Sequence, residues 1–160
     1  MVLQSLIQTQ SLHSVYQPIV DTYRSAIIGY ESLIRGPKGH ALESPAMLFQ
    51  EAERTGMLFP LERECVRSAI TFHQNNDYAG ALFLNINPNL LCCNDNIEAL
   101  IQLFQTASSS WVLELSEQHA TENLTALKGA VHRLRTAGIR FAIDDLGAGH
   151  SSMKLWAEIR

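Results

Sequence analysis

Short β-like runs alternate with helix-like segments along the whole of this 160-residue chain, and that alternation admits little besides an α/β fold with a largely parallel sheet. Residues 15–20 and 26–31 read as two strands around a turn from Asp21 to Ser25, so the opening pair is expected to be antiparallel. Ser44 before Pro45 supplies an N-cap and a first-turn proline, and Gly56 supplies a stop, which together predict a helix. Leu61, Cys65, Ala69 and Phe72 share one face of a second helix. Ala81 to Leu84 is a continuous apolar run ended by Asn85, as in a strand covered on both faces. A helix over roughly 95–106 and a strand from Trp111 to Leu115 follow. Leu124, Leu127, Val131 and Leu134 then mark an amphipathic helix ending at Gly138, and Ile139 to Ile143 is the last strand before Asp144 and Asp145.

The apolar content needed for such a core is present, with 46% hydrophobic and 18% charged residues, the range of one compact domain. The longest apolar runs fall far short of a membrane span, and the start Met1-Val2-Leu3-Gln4 lacks the basic region of a signal peptide, so a cytoplasmic location is expected. Three cysteines, two of them adjacent at Cys92 and Cys93, suggest neither a disulfide framework nor a zinc site. A net charge of −4 without any run of Lys or Arg argues against a nucleic-acid polymer as partner. A small anion stays compatible with that charge if a metal supplies the positive side.

The functional signal is where polar residues fall. Glu31, Asn85, Glu114 and the pair Asp144 and Asp145 stand at the ends of successive predicted strands, where parallel α/β folds build their sites. The spacing agrees: 85 to 114 is 29 residues and 114 to 144 is 30, each about one β/α unit of a barrel of roughly 250 residues. Several carboxylates buried together cost several kcal/mol each unless a cation compensates them. Oxygen donors without His or Cys select a hard ion, Mg²⁺ or Mn²⁺, over zinc. Taken singly, each residue has a plainer explanation: an aspartate capping a turn, a strand-end glutamate in water, an asparagine in the turn before Pro88. The histidines, His13, His40, His73, His119, His132 and His150, show no ligand spacing and read as surface or packing residues.

Four ordered segments carry a family resemblance. Tyr16-Gln17-Pro18-Ile19-Val20 followed by Gly29-Tyr30-Glu31-Ser32-Leu33-Ile34-Arg35 resembles the opening of EAL domains, with Ser32 for the usual alanine. Leu84 to Asn87 resembles the family's V-N-L-S segment, Leu113 to Glu117 its E-L-T-E segment, and Phe141 to Ser152 its I-D-D-F-G-T-G-Y-S-S segment. The resemblance implies a modified (β/α)₈ TIM-like barrel, incomplete in this chain, with residues 1–14 as a lead-in and 15–160 as an EAL domain cut before its last strands. It implies metal-dependent hydrolysis of cyclic di-GMP to linear pGpG with two Mg²⁺ or Mn²⁺ ions. Glu31, Asn85, Glu114, Asp144 and Asp145 are the implied metal ligands. Arg35 is the implied phosphate contact, Gln17 and Leu33 lie near the nucleotide, and Glu117 holds the loop after Asp145 that leads to a dimer interface, so a homodimer is expected.

Leu146, Ala148 and His150 replace the family's Phe, Thr and Tyr in that loop. The family's catalytic lysine in a K-I-D segment, its later acidic residue and its E-G-V-E segment have no counterpart in these residues, so little turnover is expected from them alone. A strand count below eight leaves a parallel edge to be covered by further polypeptide, a partner or a swapped dimer. Two alternatives stay open: a non-catalytic cyclic di-GMP receptor or protein-interaction module of the same fold, and an unrelated metal-dependent barrel hydrolase.

Overall fold

Asp21 folds the chain back on itself. Its Oδ1 accepts from the backbone N–H groups of Tyr23 (2.9 Å) and Arg24 (3.0 Å), and its Oδ2 meets Nη1 of Arg24 at 2.9 Å. This Asx-type closure joins two antiparallel strands, β1 (His13–Asp21) and β2 (Ala26–Arg35). The computed structural model describes residues 2–76, 80–106, 110–116 and 123–144, in two units divided in sequence after Gly80.

In the first unit, β1 and β2 pair from Asp21↔Ala26 to His13↔Arg35, with one bulge where Ile19 faces Gly29 but Val20 faces Ile27. Strand β2 is four residues longer than its predicted span, because each of His13 to Gln17 finds a partner in Glu31 to Arg35. Glu31 is therefore inside the strand and not at its end. Helix α2 (Pro45–Thr55) has the predicted caps: Ser44 Oγ accepts from Met47 N–H at 3.3 Å, and Gly56 closes the helix at φ 67°. Helix α3 (Leu58–Asn76) follows. It lies against one face of the hairpin, where Tyr16 stacks on Phe72 with ring centroids 3.9 Å apart and Ser14 Oγ donates to Ser68 Oγ at 3.2 Å. A short helix α1 (Val2–Gln8), within the predicted lead-in, buries Leu3 in a core shared with Leu12, Ile34, Leu48, Ala52 and Leu61.

In the second unit, β3 (Ala81–Ile86), β4 (Ser110–Ser116) and β5 (Arg140–Asp144) are parallel neighbours. Helices α4 (Asn94–Gln105) and α5 (Leu124–Thr136) make the crossovers that parallel pairing demands. A 3₁₀ turn over Pro88–Cys92, capped by Asn87 Oδ1 on Asn89 N–H, precedes α4. One face of the sheet packs on the helices: Trp111 meets Phe104 of α4, and Arg135 of α5 lies over Phe141. Arg133 ties α5 to α4 through Asn94 Oδ1 (2.9 Å) and Glu98. Among the described residues, no helix is long and apolar enough to cross a membrane. The α/β class and the antiparallel first pair agree with the sequence reading, and the five described strands are fewer than the eight of a closed barrel.

Candidate functional site

Strand alternation assigns the predicted residues to faces. In the hairpin, Gln17 is directly opposite Glu31, Val15 opposite Leu33 and His13 opposite Arg35. Paired residues, and residues two apart, share a face, so Gln17, Glu31, Leu33 and Arg35 all lie on one side. Tyr16, Ser14 and Ile34 lie on the other, against α3 and the core. Gln17 is exposed, while Glu31, Leu33 and Arg35 are half-buried. Arg35 donates from Nη1 to the Ile34 carbonyl at 2.8 Å, which leaves most of its guanidinium fork for a ligand. The chain then turns at Gly36, whose N–H donates to Glu43 O at 2.9 Å.

The same rule sorts the second unit. Asn85 pairs with Glu114, and Glu114 with Ala142, so the three share a face and a row. Asp144 is two residues beyond Ala142 and projects from that same face, one pleat nearer the C-terminal end of the strand. Leu84, Leu113 and Phe141 occupy the opposite face, with the helices. In each unit, then, the predicted residues lie on the side away from the helices, the side that becomes the interior of a β/α barrel. Asn85 and Asp144 are exposed and Glu114 is half-buried.

The donor set suits a hard divalent cation, being all carboxylate or amide oxygen. Among the described residues no group of three or more His, Cys, Asp and Glu side chains is positioned to hold an ion. The second unit's set explains why, since one of its three members is an amide. Asp145 and Glu117 lie outside the described residues, as do Leu146, Ala148 and His150. A groove of about 520 Å³ lined by Leu42, Met47, Gln50, Glu51, Glu53 and Arg54 contains none of the predicted residues. The sequence reading left His13 among surface or packing residues. Only the strand register reveals that it stands opposite Arg35.

Comparison with known proteins agrees with the motif reading. The family profile described as EAL domain matches residues 2–160. The Synechocystis protein named uncharacterized protein sll1895 is 29% identical over 86% of this chain and 21% of its own length. The Pseudomonas aeruginosa protein named cyclic di-GMP phosphodiesterase PA2567 is 29% identical over 98% of this chain and 27% of its own length. The chain thus spans about a fifth to a quarter of these curated relatives. Among solved structures, the FimX EAL domain from P. aeruginosa bound to c-di-GMP superimposes with a TM-score of 0.84 at 21% identity, covering 99% of this chain and 66% of that one. BlrP1 of Klebsiella pneumoniae, in a manganese and cyclic di-GMP complex, gives 0.78 at 25% identity over 94% of this chain and 39% of its own. With a profile spanning nearly every residue and a fold shared at that level, this chain belongs to the EAL domain family.

Proposed function

We propose that the chain contributes the cyclic di-GMP site of an EAL phosphodiesterase, and that its parent domain hydrolyses one phosphodiester bond to release linear pGpG. The observation that carries this reading is the common face: Gln17, Glu31, Leu33 and Arg35 share one side of the hairpin, and Asn85, Glu114 and Asp144 share one side of the parallel sheet. Random polar substitutions on strands would scatter over both faces. Relatives named as cyclic di-GMP phosphodiesterases and neighbours crystallised with manganese and cyclic di-GMP support the same substrate and metal class.

In this reading Glu31, Asn85, Glu114, Asp144 and Asp145 hold Mg²⁺ or Mn²⁺. When bound, the metal supplies the positive charge that an acidic chain lacks and lowers the pKa of a coordinated water. Arg35 supplies a planar pair of donors to a phosphate oxygen, a geometry that lysine does not reproduce. Gln17 offers an amide on the same face, and Leu33 gives an apolar surface to a base. Glu117 braces the loop after Asp145, and a homodimer is the proposed assembly. Because the family's K-I-D and E-G-V-E segments have no counterpart in these residues, the proposal for the 160 residues themselves is binding without efficient hydrolysis.

The test is calorimetry of the chain with cyclic di-GMP in Mn²⁺, with chromatography of the mixture for pGpG, and cyclic di-AMP as a control. Saturable heat with cyclic di-GMP and little product is expected. No binding, or equal affinity for cyclic di-AMP, would refute the assignment.

A further inference from the structure

The hairpin register arranges the ligand-facing side in three rows. Gln17 and Glu31 form the deepest, Val15 and Leu33 the middle, and His13 and Arg35 the rim. His13 is exposed and stands at the first position of β1. Arg35 spends one donor on the Ile34 carbonyl. The middle row is apolar, so no carboxylate neighbours this pair along the face until Glu31. In the following loop, the nearest acidic side chain in sequence, Glu43, already accepts from Gly39 N–H at 2.7 Å. Directly opposed residues of an antiparallel pair hold their Cβ atoms about 5 Å apart, so an imidazole N–H and a guanidinium in that position can donate to one acceptor placed between them.

We propose that His13 and Arg35 form a two-strand clamp on one anionic group, so that His13 is a ligand-binding residue. The clamp rests on the cyclic di-GMP reading of this face and specifies it further. The rim row lies four positions along the strand from the Glu31 row, about 14 Å at 3.4 Å per residue. Arginine can reach down part of that distance, but the short imidazole stays in its own row. A ligand that places one anionic group at the Glu31 row and another at the His13 rim therefore carries two separated phosphates, as cyclic di-GMP does and GMP does not. His13 is the residue that senses the far end.

Calorimetry in Mn²⁺ with the unsubstituted chain, His13→Ala, His13→Gln, Arg35→Ala and the double His13→Ala/Arg35→Ala variant tests this, with GMP as the short probe. His13→Ala is expected to weaken cyclic di-GMP five- to tenfold and to leave GMP within twofold. His13→Gln, which keeps an N–H donor, should recover part of the loss. Arg35→Ala should cost more, and the double variant less than the product of the two, because both residues hold one group. Without any substitution, the His13 imidazole resonances should shift on adding cyclic di-GMP and stay fixed with GMP. His13→Ala within twofold of the parent, or unmoved imidazole resonances, overturns the clamp alone if Arg35→Ala still weakens binding. If Arg35→Ala is also silent, or the unsubstituted chain does not bind, the reading of the whole face falls with it.

Discussion

Gly36 follows Arg35 directly, where the chain leaves β2. A Cβ added there would lie 1.9 Å from the Leu42 carbonyl oxygen and 2.8 Å from its carbon, both backbone atoms that cannot rotate aside. Relief requires the two sides of the 36–43 loop to part by more than 1 Å, on the order of the difference from an ordinary van der Waals contact of about 3.5 Å. That movement breaks the Gly36 N–H to Glu43 O bond of 2.9 Å and disturbs Leu42, which is buried in the first unit's core. The lost hydrogen bond accounts for about 1 kcal/mol, and the steric displacement for a further ~1–3 kcal/mol. Gly36→Ala should therefore destabilise the chain by roughly 2–4 kcal/mol, read as a lower urea midpoint by far-UV circular dichroism with an unchanged slope. It should also weaken cyclic di-GMP more than its stability loss explains, because Arg35 is the preceding residue. A midpoint within about 0.5 kcal/mol of the parent would show that the loop is not as closely packed as the contact implies.

Leu113 is fully buried in β4, beside Glu114, so Leu113→Ala should cost about 2–5 kcal/mol. A loss below 1 kcal/mol, on the order of a surface change, would contradict the parallel sheet's packing. The Asp21 carboxyl sits below the ordinary value of 3.8, foremost because of the Arg24 backbone N–H; desolvation opposes this, and the Arg24 guanidinium and the Tyr23 N–H lower it further. A depressed carboxyl contributes stability that is complete above the unfolded value and lost as pH falls through the lower folded one. The Arg24 amide resonance should therefore titrate with a midpoint below 3.8, and a midpoint at or above that value would exclude the turn as described.

What the sequence made legible was local. Ser44, Pro45 and Gly56 announce α2 by cap chemistry that needs no tertiary partner. The 3.6-residue period of Leu127, Val131 and Leu134 likewise marks α5. The extension of β2 to Arg35 was not legible, because it depends on partners in β1 and on a bulge at the far end that fixes the register. Helix α1 has seven residues and carries no acidic residue in its first turn, so its helicity comes from burying Leu3, a tertiary effect. The candidate ligands were found by residue type and spacing, whereas their division into faces came only from pairing. His13 escaped for the same reason: nothing local distinguishes a rim histidine from any other exposed one, and the position opposite Arg35 exists only once the hairpin closes.

Divalent-cation binding by the oxygen side chains Glu31, Asn85, Glu114 and Asp144 is the central claim to be tested. Electron paramagnetic resonance of Mn²⁺ titrated into the chain, and into Glu31→Gln, Asn85→Ala, Glu114→Gln and Asp144→Asn, measures this without reference to turnover. Mn²⁺ bound by the parent and held at least about tenfold more weakly by each variant, roughly 1.4 kcal/mol or more, is the predicted result. Equal Mn²⁺ affinity across the parent and all four variants would contradict it.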